Sequence, residues 1–158
     1  MTKQKTKKLI LFLVLFFSLL TSKTLFAQEF EHRKHYISIG FLDHKTGNSL
    51  LGYTRSVFQN KNNELFIGGG TLITANTLVI GFKKYLFRSF VDGYSTVSIQ
   101  NIYGMGGKVE TTGLSIGVEK KIWKVVFLNL GVNTLLELNS INNLDFVGFP
   151  NLNLNIRF

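Results

Sequence analysis

Asn151, Asn153, Asn155 and Arg157 alternate without a break with Leu152, Leu154, Ile156 and Phe158. A β-strand turns successive side chains to opposite faces, so this stretch builds one polar and one apolar face. The same period of two recurs along the chain, in runs separated by Gly, Asn and Asp clusters, as strands and turns are. Eight runs are marked: Tyr36–Leu42, Ser49–Phe58, Glu64–Ile73, Thr77–Phe87, Tyr94–Tyr103, Gly113–Ile122, Val125–Leu138 and Asn151–Phe158. The fourth sets Leu78, Ile80 and Phe82 against Gly81, Lys83 and Tyr85, and the sixth sets Leu114, Ile116 and Val118 against Ser115, Gly117 and Glu119. The seventh opposes Val126, Leu128, Leu130 and Val132 to Phe127, Asn129, Gly131 and Asn133. Leu50-Leu51 and Leu65-Phe66-Ile67 put apolar groups on both faces, which leaves the register of the second and third runs open.

Connections alternate loosely between tight and roomy. Gln59–Asn63, Arg88–Asp92 and Ile122-Trp123-Lys124 are short, whereas Gly104–Thr112 and Asn139–Phe149 are expected as long loops. Asp43–Asn48 is intermediate and Thr74–Asn76 is short where a long loop was due. The single proline, Pro150, stands at the start of the last run, where it disrupts no ladder.

The N-terminus follows a different rule. Four lysines in the first eight positions precede the apolar stretch Leu9–Leu20, and Ala27 closes a short polar segment. A basic start, a short apolar core and a small residue make a secretory signal peptide over residues 1–27. The apolar stretch is shorter than the ~20 residues a spanning helix needs. Residues 28–35 then read as a periplasmic lead-in and 36–158 as the folded domain. The formal charge of +9 drops to +4 once the five lysines of 1–27 are gone, because no acid leaves with them. Nucleic-acid binding loses its support, since no Lys/Arg cluster with interleaved aromatics remains on one element. The absence of cysteine excludes a disulfide framework, a thiolate metal site and a thiol nucleophile.

Eight antiparallel strands can close into an up-and-down barrel, which removes the sheet edges. Composition chooses the inner face. A soluble barrel must show water a face rich in charge, yet here the polar face is mostly Gly, Ser, Thr and Asn, and charges are 22 of the 131 residues after position 27. Small polar groups suit the narrow interior of an eight-stranded barrel, and the runs match the tilted span of a bilayer. The expected fold is therefore an all-β, eight-stranded antiparallel up-and-down transmembrane β-barrel.

The closing run adds a motif. Leu152, Leu154, Ile156 and the final Phe158 resemble the C-terminal strand signal of small eight-stranded bacterial outer-membrane β-barrel proteins. The resemblance implies an outer membrane of a Gram-negative cell, with membrane lipid and the barrel assembly machinery as partners. It implies no cofactor and no particular member of that broad class. Under this topology Arg55, Lys84 and Lys120 lie near the periplasmic rim with Tyr85 and Trp123, as a snorkelling and aromatic girdle would.

Interior chemistry is expected to be a closed polar network. The charged candidates inside the barrel are Lys83, Glu119, Lys121, Glu137 and Arg157, with Gln100, Asn129, Asn133, Asn153 and Asn155 around them. Charges in so narrow a space must be paired or wetted, which predicts a salt-bridged plug around Glu119 and no diffusion pore. Catalysis has little to stand on. His32, His35 and His44 are the only histidines, and Ser38 lies six residues from His44, beyond hydrogen-bond reach along a strand. His32 and His35 lack a carboxylate cluster that would make them metal ligands. The expected function is structural or surface-interacting, through the loops Gly104–Thr112 and Asn139–Phe149. The alternatives are a secreted lipocalin-like barrel holding an apolar ligand and, third, a lipid-modifying barrel enzyme.

Overall fold

A computed structural model of the chain describes residues 33–104, 106–137 and 147–158. The expected signal peptide, residues 28–32 of the lead-in and most of the loop Asn139–Phe149 lie outside these residues. Eight strands follow one another: β1 (His35–Asp43), β2 (Ser49–Gln59), β3 (Asn63–Thr71), β4 (Ala75–Phe87), β5 (Asp92–Gly104), β6 (Gly107–Lys121), β7 (Val126–Glu137) and β8 (Val147–Arg157). Each pairs antiparallel with its sequence neighbours, and β8 closes on β1 through Tyr36 opposite Arg157 to Phe41 opposite Leu152. Backbone bonds between His35 and Phe158 (3.1 and 3.0 Å) seal the seam at one rim. That rim, called lower here, also carries the short turns after β2, β4 and β6. The upper rim carries the connections after β1, β3 and β5.

Two expected connections differ. Gly104 pairs directly with Gly107, so the long loop Gly104–Thr112 does not exist and the connection shrinks to two residues. Val109 to Thr112 are β-formers that continue the ladder, and the glycines mark a tight turn and not a roomy loop. Strand β8 likewise begins at Val147, so Pro150 lies inside it, opposite Val132 of β7. The β1 ladder reaches only to Leu152, which leaves the β1 side of Pro150 unpaired and the missing N–H without consequence.

The wall is inverted relative to a water-soluble barrel. Ile39, Phe41, Leu78, Ile80, Val97, Ile99, Ile116, Leu152 and Leu154 all project outward and are exposed. The alternate positions, among them Ser38, Thr54, Ser56, Thr96, Ser98, Ser115 and Asn155, are buried inside. Among the described residues, buried apolar bulk is limited to Tyr36, Phe66, Val79, Tyr85, Tyr94 and Phe127. The open register of the third strand resolves with Phe66 inward and Ile67 outward.

Candidate functional site

The connection from β1 to β2 turns into the barrel instead of over its rim. Leu42 (φ 55°), Gly47 (φ 79°) and Asn48 (φ 58°) take left-handed backbone on either side of a 3₁₀ turn, His44–Thr46. Glycine is free to do so and asparagine tolerates it, whereas Leu42 holds a conformation that costs energy. The Lys45 N–H donates to Asp43 Oδ1 at 3.3 Å, which caps the turn. His44, Lys45 and Thr46 are all buried, with Lys45 only 1% exposed. Inward-facing glycines make the space: a Cβ at Gly52 would lie 2.5 Å from Thr46 Cβ, and one at Gly68 would collide with the Lys45 carbonyl. Thr54 Oγ1 donates to the Lys45 carbonyl at 3.0 Å, and Thr77 Oγ1 to the Thr46 carbonyl at 2.5 Å. The turn is thus a plug held on β2, β3 and β4.

Two ionic centres fill the lumen beside it. Lys45 Nζ lies 2.6 Å from Glu64 Oε1 and 3.9 Å from the Tyr36 ring centroid. Ser56 Oγ donates to the same carboxylate. In the second centre Glu119 binds Lys83 Nζ at 2.9 Å, pairs with the Arg157 guanidinium and accepts the Tyr85 hydroxyl at 3.1 Å. Lys83 lies 4.0 Å from the Tyr94 centroid and Arg157 3.6 Å from that of Phe127, so aromatic faces cover the cations' remaining sides. Every partner in this second centre stands on a strand.

Amides occupy the space toward the upper rim. Asn48 Nδ2 donates to Gln100 Oε1 at 3.2 Å, Asn133 Nδ2 to Asn48 Oδ1 at 2.5 Å and to the Leu42 carbonyl at 2.6 Å. Asn151 Nδ2 donates to Asn133 Oδ1 at 2.5 Å. These bonds tie the plug to β5, β7 and β8. Asn129 and Asn153 sit opposite each other on β7 and β8, both buried.

The structure gathers Lys83, Glu119, Asn129, Asn133, Asn153, Asn155 and Arg157 inside the barrel. Lys121 is half-buried, its ammonium 5.9 Å from the Phe127 centroid, while Glu119 is engaged by Lys83 and Arg157. Glu137 is exposed and belongs to no lumenal centre. Arg55 and Lys84 project outward, Trp123 is 71% exposed, and Lys120 lies 4.1 Å over the Phe90 ring at the lower rim. Tyr85 does not belong with them. It faces the lumen with its hydroxyl on Glu119, because it keeps the parity of Lys83 and the β4 irregularity comes only after it. Leu152, Leu154 and Ile156 all face outward in one row of β8, and Phe158, just past its end, is exposed with them.

His32 lies outside the described residues, and the two described histidines fall on opposite sides of the wall. His44 stacks on Tyr94 inside, at a centroid distance of 4.9 Å, while His35 stacks outside on Phe158 at 5.7 Å. They form no common site. Among the described residues no group of three His, Cys, Asp or Glu could hold a metal ion. Comparison with protein-family models, curated proteins and solved structures returns no match.

Sequence reasoning missed Lys45, Glu64 and the inward turn. Lys45 sits in a connection, where period two says nothing about direction. A signal was present in Gly52, Gly68 and Gly70, which share the inward parity: a barrel wall that lacks side chains on one side must receive bulk from elsewhere.

Proposed function

We propose that the chain is an integral barrel of a Gram-negative outer membrane, closed to diffusion, that acts through its surfaces and not through its lumen. The observation that carries this reading is the inverted wall, apolar outside and polar inside. Soluble monomers rarely expose continuous apolar surface beyond a few hundred Å², whereas here outward rows of Ile, Leu, Val and Phe encircle the barrel. A bilayer is the solvent that rewards such a face, and a closed barrel leaves no backbone group unpaired in it. The lipocalin-like alternative needs an apolar lumen. This lumen holds two ionic centres and an amide cluster.

Residues 1–27 supply the export signal in this reading, and β8 with Phe158 supplies the strand that the assembly machinery takes up. The plug and the Glu119 centre make the barrel solid, so its role is structural or adhesive, with no catalytic step and no cofactor. Cell fractionation with a heat-modifiability gel tests the assignment. The expected result is an outer-membrane band whose mobility shifts on boiling; a protein soluble in buffer without detergent overturns it. In planar bilayers the protein is expected to give no conductance of porin size.

A further inference from the structure

The outer wall is not uniformly filled. A groove of about 620 Å³ crosses β2 to β5 on the outward face. Its floor is Gly69, which stands in one cross-strand row with Tyr53, Leu78 and Asn101. Tyr53 and Leu78 project on either side of a position without a side chain. The next row toward the lower rim is Arg55, Ile67, Ile80 and Ile99, and it completes the walls.

One end of the groove is cationic. Arg55 lies opposite His35, the first residue of β1, and no carboxylate pairs with it among the described residues. Lys34 is exposed next to it, its carbonyl taking the Ser56 N–H at 2.7 Å. Arg33 donates to the Arg157 carbonyl at 2.7 Å, which fixes a third cation at the same rim. The rest of the groove is apolar apart from Asn101 at its far end. A cation at the rim and a trough of isoleucine and leucine leading away from it match a phosphate head with an acyl chain behind it.

We infer that this groove binds a single anionic phospholipid, its phosphate on Arg55 and one acyl chain along Ile67, Ile80 and Leu78 over Gly69. The inference rests on the membrane reading above. A second copy of the chain fits less well. Two copies inserted the same way up would bring Arg55 and Lys34 of each to the same height, and like charges at an interface repel.

The test uses the purified protein in lipid nanodiscs of phosphatidylcholine doped with phosphatidylglycerol, with retained lipid counted by native mass spectrometry. The wild-type protein is expected to keep one phosphatidylglycerol in preference to phosphatidylcholine. Arg55→Gln should cut that preference severalfold while an acyl lipid is still retained. Gly69→Leu should abolish retention of both, because it fills the trough from its floor. Heat-modifiability of each variant is measured in parallel. A folded, inserted barrel with no preference for phosphatidylglycerol, or with a preference that Arg55→Gln leaves unchanged, overturns the inference and spares the membrane reading. Failure of the wild type to insert sinks both. Gly69→Cys introduces the only cysteine, and an efficient disulfide dimer in the bilayer would give the groove to a second copy and overturn the lipid assignment.

Discussion

The two ionic centres of the lumen are chemically alike and mechanically different. The Glu119 centre joins β4, β6 and β8 with side chains that all stand on strands. The Lys45–Glu64 pair joins β3 to a connection that has folded inward. The first ties the wall to itself and the second ties a plug to the wall. Both are buried, so both carry the desolvation cost of charges removed from water, and in both that cost is offset only while every partner is in place. What differs is the freedom left after a break. Strand-borne charges have nowhere to go, whereas the turn can relax toward the upper rim and rehydrate.

Glu119→Ala should therefore have the largest effect. It strands Lys83 and Arg157 together, and a loss of about 3–5 kcal/mol in unfolding free energy is expected from breaking a buried pair. Urea unfolding of the refolded protein, followed by Trp123 fluorescence, measures it. If the loss is no greater than for Lys45→Ala, the distinction between wall and plug collapses. Lys45→Ala should cost less, by at least ~1 kcal/mol, since Glu64 keeps the Ser56 hydroxyl and the loosened turn admits water. Combining it with Glu64→Gln should recover most of that loss.

Gly68→Val sharpens the comparison from the other side. It leaves both ion pairs chemically intact but occupies the seat of the Lys45 carbonyl, so overpacking of about 1–3 kcal/mol is expected. Small, brief conductance steps should appear with it in planar bilayers, and neither Glu119→Gln nor the wild type should show them. If the outward face meets lipid as proposed, Ile116→Ala should change stability least, by less than about 1 kcal/mol in a bilayer, because lipid then fills what the side chain leaves. A larger loss there would mean that this face packs against protein.

Much of the barrel was legible in the residues. Period two placed eight strands, and on β4, β6, β7 and β8 it assigned most side chains to their faces, Lys83 and Glu119 included, but not Glu137, which stands exposed at the end of β7. Tyr85 shows the limit of assigning by level. Its position near a strand end suggested a rim girdle, but parity with Lys83 was the stronger rule and takes it inside. The glycines of Gly104–Gly107 misled for a related reason: composition marks a turn without giving its length, and the ladder between Val109 and Ile102 decides how far the strands run.

The sequence by itself determined the strands, their alternation and the choice of which face is polar, because all three follow from side-chain direction along a single strand. Only the tertiary structure decided that Lys45 lies 2.6 Å from Glu64 and that Glu119 serves Lys83 and Arg157 together. Those pairings join residues far apart in sequence, and they depend on barrel register and on the direction taken by one connection. Local periodicity contains neither.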